Sequence, residues 1–167
     1  MMNSAAQVRC RDATLADMKA CADIFNRWVD ATVWMPRIHA PEDVERHYRE
    51  TLFANGTVII AESQGEIAGF LALAEERFVS ALYLDPSHRG AGIGAALLSE
   101  AKRRAKGELK LWTFAENARA QRFYQRQGFV PIRRTSGDNE EGLPDILYLW
   151  RPLASKEAIL GTGGSDV

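Results

Sequence analysis

Three features of the chain predict a mixed α/β fold, with a central sheet covered by helices. Apolar residues switch repeatedly between the helical period and the two-residue period of strands. The resulting segments fall in the order β-α-α-β-β-β-α-β-α-β-β. That order mixes short hairpins with helical crossovers, and so calls for both antiparallel and parallel strand pairs. Finally, 167 residues of which 46% are hydrophobic and 26% charged suit one core of ordinary composition.

Each element has its own signal. Val8 to Arg11 alternates apolar and polar and reads as the first strand. Thr14-Leu15-Ala16-Asp17 reads as a capping box. Met18, Cys21, Ala22, Phe25 and Val29 then recur at helical spacing to about Asp30. Ala31 to Ala40 has no period and is a loop. Pro41 opens a second helix where proline is tolerated, with Val44, His47, Tyr48 and Leu52 on its inner face. Asn55-Gly56 is a turn, and Thr57–Glu62 and Ile67–Ala74 pair across the tight turn at Gly65. Phe78–Leu84 is the next strand, stopped by Asp85-Pro86. Ile93, Leu97, Ala101 and Ala105 space a helix whose basic last turn, Lys102 to Lys106, opposes the negative end of its dipole before Gly107. Leu109–Phe114 is a strand, Asn117 caps a short helix ended by Gly128, and Phe129–Arg134 and Ile146–Trp150 are strands joined by the polar loop Thr135–Asp145. Residues 1–6 and 154–167 read as flexible ends of a body spanning 7–153.

Composition narrows the function classes. A formal net charge of −1 offers no overall field for nucleic acid or an anionic membrane, so any anion site is local. No apolar run approaches the roughly 20 residues that span a bilayer, and Met1 to Val8 lacks the features of a signal peptide. Cys10 and Cys21 have no CxxC spacing and read as reduced thiols, which points to the cytoplasm. No ligand cluster suggests a metal.

The informative segment is Leu82-Tyr83-Leu84-Asp85-Pro86-Ser87-His88-Arg89-Gly90-Ala91-Gly92-Ile93-Gly94-Ala95. A strand runs into a glycine-rich turn that opens directly into a helix. Glycines let inward-turned N–H groups approach a ligand, the helix N-terminus adds about half a positive charge, and Arg89 supplies a mobile cation. Together they suit phosphate oxygens. A P-loop needs GKS or GKT, which is missing here. Gly90-x-Gly92-x-x-Ala95 fits the dinucleotide fingerprint, with Glu116 after the next strand. However, the motif lies mid-chain, and the last strands read as a hairpin rather than a crossover.

Arg89-x-x-Gly92-x-Gly94 resembles the Q/R-x-x-G-x-G/A signature of the GNAT acetyltransferases. Asn117-Ala-Arg-Ala-Gln-Arg-Phe123-Tyr124-Gln-Arg-Gln-Gly128-Phe129 is similar to the family's second motif. The resemblance implies a sheet of about seven strands, the fourth and fifth splayed, flanked by about four helices. Residues 7–153 would be an N-acetyltransferase domain using acetyl-CoA and no metal, and homodimers are common among its relatives. It implies that the amides of Arg89, Gly90, Ala91, Gly92, Ile93, Gly94 and Ala95 hold the pyrophosphate. Leu82, Tyr83 and Leu84 would flank the pantetheine arm, with Asn117, Phe123 and Tyr124 beside the cofactor. The implied reaction is direct attack of a primary amine, on a small molecule or a protein N-terminus, in a ternary complex. The site must align amine and thioester, stabilise the oxyanion through a strand amide near Leu84, and protonate a thiolate whose thiol has a pKa of about 8.5. Tyr124 matches the family's acid. A non-catalytic acyl-CoA-binding module would keep the turn and lose that acid.

An ammonium of pKa about 10.4 also needs a proton acceptor or a water path. Val79, Ser80 and Ala81 occupy the strand where some relatives carry a glutamate, so Glu75 and Glu76 are the nearest acids in sequence, and Glu76 is the candidate base. His39 and His47 are further options. For the acceptor, the loop Val33 to His39 puts Trp34 and Arg37 in a connection that overhangs the cleft in the family. The acidic loop Ser136 to Asp145 adds Glu141 and Asp145 on the other side. Acids and an aromatic wall favour a cationic acceptor.

Overall fold

The computed structural model describes residues 7–153. Both flexible ends expected from composition lie outside the described residues. The elements are β1 (Val8–Asp12), α1 (Met18–Ala31), α2 (Pro41–His47), β2 (Thr57–Ser63), β3 (Glu66–Ala74), β4 (Phe78–Leu84), α3 (Ile93–Arg104), β5 (Leu109–Phe114), α4 (Ala118–Arg126), β6 (Val130–Thr135) and β7 (Asp145–Trp150). They follow the order read from periodicity, with three local additions, one of them a 3₁₀ turn, Pro86–His88, after β4. The capping box at Thr14 and Asp17 is present but opens a 3₁₀ turn, Leu15–Asp17, that leads into α1. A π turn, Tyr48–Leu52, prolongs α2.

The strands form one sheet in the order β1-β2-β3-β4-β5-β7-β6. All neighbours are antiparallel except β4 and β5, which are parallel. That pair is the place where the sheet opens. β4 and β5 are matched only at Phe78 and Lys110, beyond which β4 stays with β3 and β5 stays with β7. A bulge adds to the divergence: Ala72 faces Ala81 and Leu73 faces Val79, leaving Ser80 without a partner on β3. The edge of β4 that faces β5 therefore carries backbone donors and acceptors that the sheet does not satisfy.

Helices cover both faces. Ile93, Leu97, Leu98 and Ala101 of α3 pack with Leu71, Leu73, Leu109, Leu111, Ile146 and Tyr148. Met18, Cys21 and Ile24 of α1 pack with Val44, Tyr48, Ile60 and Phe70 on the other face. Cys10 and Cys21 are both free thiols. Burial pushes the Cys21 thiol up to about 12, so it stays protonated and serves as a small apolar side chain.

β1 is tied to the start of α1 by charge. Arg11 Nη1 and Nη2 donate to the two oxygens of Asp17 at 2.7 and 3.0 Å, and its Nε donates to Glu62 at 2.6 Å. The Arg11 guanidinium holds the Asp17 carboxyl down to about 2. A depressed carboxyl stabilises the fold fully above its ordinary value near 4, and that contribution is lost as pH falls from there towards 2. Asp17→Asn should therefore cost about 2 kcal/mol at neutral pH, lowering Tm by several degrees. Urea unfolding followed from pH 7 downwards should show the gap between wild type and variant closing between about pH 4 and pH 2.

Candidate active site

The opening between β4 and β5 is a cleft of about 760 Å³. One wall is β4, from Val79 to Leu84, and the other is β5, from Leu111 to Phe114. Side chains alternate along β4. Leu82 and Leu84 join the core under α3, whereas Tyr83 joins the aromatic group under α1, with ring centroids 5.0 Å from Phe25 and 5.2 Å from Trp28.

The turn after β4 is built for a ligand. Asp85 caps it, accepting from the Ser87 amide at 3.0 Å. Gly90 and Gly92 have φ of +81° and +78°, values that L side chains rarely adopt, and a Cβ built on either meets no atom within 4 Å. The space beside both glycines is open, and Gly92 caps the start of the 12-residue α3. The amides of Ile93, Gly94 and Ala95 thus end the helix inside the cleft lining, where an anion meets both N–H groups and the helix dipole. Gly94 has a different reason to be glycine, since a Cβ there would come within 3.1 Å of the Phe123 ring. Pyrophosphate oxygens and an extended pantetheine arm fit these features: an open glycine cradle, and an unpaired strand edge for the arm's amides.

Of the residues expected at the cofactor, Leu82, Tyr83, Leu84, Arg89, Gly90, Gly92, Ile93, Gly94, Ala95, Asn117, Phe123 and Tyr124 all line this cleft, and Ala91 does not. Asn117 also serves as an ordinary helix cap, its side chain accepting from the Ala120 amide at 3.1 Å. Tyr124 lies on the buried side of α4 among Phe123, Phe129 and Tyr148. Burial, with a smaller contribution from nearby Tyr83, pushes its phenol well above the ordinary value, so it holds its proton at neutral pH. Tyr83 is raised likewise, first by burial and then by the charge of Glu141.

Two loops lie at the other end of the cleft. Trp34, in the connection between α1 and α2, stacks edge-on against Phe114 of β5 at 5.7 Å and against Trp28 at 5.9 Å, roofing the cleft with indole. A smaller cavity of about 360 Å³ adjoins it, sharing Trp112, Thr113 and Phe114 and running under the β6–β7 loop past Arg133, Asp138 and Glu141. His39 and Glu140 meet between the two loops.

Three expectations need correction. Glu76 sits in the β3–β4 turn, at the closed end of β4, ion-paired with Lys106 at 3.2 Å. The seven residues of β4, at roughly 3.3 Å each, separate it from the open end, so the structure does not bring it to the cleft. Arg37 lines neither cavity. Its guanidinium donates to Asp30, to Asn26 and to the His39 carbonyl, bracing the loop that carries Trp34. Asp145 does lie beside the smaller cavity, but it is 7% exposed with both oxygens occupied, one by the Thr135 hydroxyl and the other by Asn139 at 2.9 Å. Those two bonds make it a brace of the loop. Among the histidines, His39 lies half-exposed in its pair with Glu140, and neither His39 nor His47 lines a cavity.

Other lining residues were not anticipated. Trp28 follows Phe25 by three positions on α1, and Arg119 and Arg126 flank Phe123 at helical spacing on α4, so periodicity carried a signal for each. Trp112 and Phe114 follow from the splay itself, since a ligand between two strands touches both.

Among the described residues no group of side chains could hold a metal ion, and no helix is long and apolar enough to cross a membrane.

Comparison with known proteins gives the same picture. Residues 21–129 match the acetyltransferase (GNAT) family. The chain is 31% identical over 143 residues to the peptidyl-lysine N-acetyltransferase YiaC of Escherichia coli, covering 84% of this chain and 94% of that protein. It is 26% identical to the L-methionine sulfoximine/L-methionine sulfone acetyltransferase of Salmonella typhimurium, over 72% of this chain and 78% of that one. Among solved structures, yncA from Salmonella typhimurium, determined with acetyl-CoA, superimposes with a TM-score of 0.68 at 22% identity, over 87% of this chain and 94% of its own. Apo YjaB from Escherichia coli gives 0.70 at 24% identity, over 86% and 97%.

Proposed function

The chain belongs to the acetyltransferase (GNAT) family, and on that footing we propose that it moves the acetyl group of acetyl-CoA to a primary amine by direct attack in a ternary complex. The observation that carries this reading is the splay of β4 from β5, matched only at Phe78 and Lys110, with an open glycine turn at one end and an aromatic roof at the other.

The residues divide the work by position. The amides of α3 and the Arg89 cation hold phosphate oxygens, which fixes the donor at a distance from the reacting atoms. The free edge of β4 offers backbone N–H groups to the arm and, near Leu84, to the oxygen that gains charge as nitrogen attacks. Tyr124, kept protonated by burial, gives its proton to the departing sulfur. Trp34 and Phe114 confine the amine, and the acids under the β6–β7 loop favour a cationic acceptor. The similarity to a peptidyl-lysine acetyltransferase places lysine side chains beside free N-termini and small amines as acceptors to try first.

The test is thiol release from acetyl-CoA in the presence of a lysine peptide blocked at its N-terminus, a lysine-free peptide with a free N-terminus, and free amino acids. At least one class should be acetylated on nitrogen with one thiol released per acetyl group. Acetyl-CoA binding without thiol release across the whole panel would mark a binding module instead. With the best acceptor, Trp34→Ala should raise the acceptor KM by roughly 3- to 30-fold, the scale of a desolvated cation–π contact, and leave the acetyl-CoA KM alone. Initial-rate kinetics with each substrate varied in turn separates the two constants.

A further inference from the structure

The reaction leaves one group unassigned. An ammonium must lose a proton before its nitrogen can bond to carbon, and the expected base, Glu76, is at the wrong end of β4. The candidates to take the proton, directly or through water, are the side chains that line the cleft or the cavity beside it.

Among the described residues very few groups qualify. No histidine or cysteine lines either space. Tyr83 and Tyr124 do, but both are held protonated and can only donate. The acids are Asp138, Glu141 and Asp145. Asp145 is buried with both oxygens bonded, and Asp138 is on the exposed rim. Glu141 is partly buried and, among the described residues, enters no salt bridge and no side-chain hydrogen bond.

The loop holds Glu141 in place. Asn139 closes around it: its Oδ1 accepts from the Leu143 amide at 3.1 Å, and its Nδ2 donates to the Leu143 carbonyl at 2.6 Å and to Asp145 at 2.9 Å. Next to it, Glu140 is tied to His39 across the mouth. Glu141 thus sits on a braced turn. It lines the smaller cavity together with Trp112, Thr113 and Phe114, the β5 residues that also line the cleft.

We propose that Glu141, presented by the Asn139-braced loop, is the proton acceptor for the attacking amine. The assignment rests on the acetyl-transfer reading of the cleft. A proton of the ammonium passes to the Glu141 carboxylate, which frees the nitrogen lone pair to form the N–C bond. The C–S pair leaves on sulfur and takes the Tyr124 proton. The nitrogen gives its second proton to Tyr124 and Glu141 returns its proton to solvent, so ammonium plus thioester gives amide, thiol and one proton.

The test compares wild type, Glu141→Gln and Glu141→Ala with the best acceptor from the amine panel, using the acetyl-CoA-induced rise in Tm as a check on folding and donor binding. Both variants should keep that rise and lose about 10²-fold in kcat, the usual scale for a general base. Added formate should restore part of the kcat of Glu141→Ala, where it can occupy the vacated space, and should not help wild type or Glu141→Gln. A kcat within about threefold of wild type, with only the acceptor KM raised, would show that Glu141 merely attracts the cation and would overturn the assignment. A large loss that formate leaves untouched would overturn it too. Failure of the wild type itself to release thiol with any amine would remove the reading beneath it, and is told apart because no variant is needed to see it.

Discussion

Gly92→Val is expected to abolish the rise in Tm that acetyl-CoA gives the wild-type protein. A ligand that binds only the folded state at about 100 times its Kd adds about 2.7 kcal/mol, which for a chain of this size is a shift of roughly 5–10 °C. Gly92 caps α3 with φ of +78°, and the space beside it is open. A valine there must either adopt a strained left-handed conformation or turn the cap, and in both cases its side chain enters the space that phosphate oxygens need. The variant's own Tm should fall, so the readout is the difference with and without acetyl-CoA. Arg89→Ala, which removes a cation but leaves the backbone cradle, should keep a smaller shift. A full shift in Gly92→Val would mean that the turn does not hold the donor.

Tyr124→Phe is expected to retain that shift and to lose about 10²-fold or more in kcat. The phenol is buried among Phe123, Phe129 and Tyr148, so loss of one oxygen leaves the packing nearly unchanged. The thiolate then departs without a proton donor beside it. Wild-type turnover in the variant, with both substrate affinities intact, would make Tyr124 a packing residue.

The glycine-turn half of the cleft was legible because its signals are local. Glycines at a strand-to-helix turn, a capping asparagine and the spacing of Phe123 and Tyr124 each report on backbone or helix geometry within a few residues. The acceptor half depends on partners that spacing does not reveal. Arg37 stands in a loop without period, and only the fold shows its guanidinium closing on Asn26 and Asp30 of the preceding helix. Asp145 and Glu141 are four residues apart in one acidic loop. One is buried under Thr135 and Asn139, and the other is partly buried and, among the described residues, enters no salt bridge. Glu76 is close in sequence to β4, but strand direction puts it at the end where β4 and β5 are still joined. The bulge at Ser80 depends on register across β3 and is likewise beyond any reading of β4 alone.

The proposed reaction carries acetyl from thioester to amine in one step. The most direct measurement is a single-turnover reaction, with enzyme in excess over acetyl-CoA and in the presence of the best amine, followed by mass spectrometry of both protein and acceptor. Direct attack predicts an acetyl group on the acceptor nitrogen appearing at the same rate as free thiol, and unmodified enzyme at every time point. An acetylated enzyme that forms before the product and decays into it would contradict direct attack.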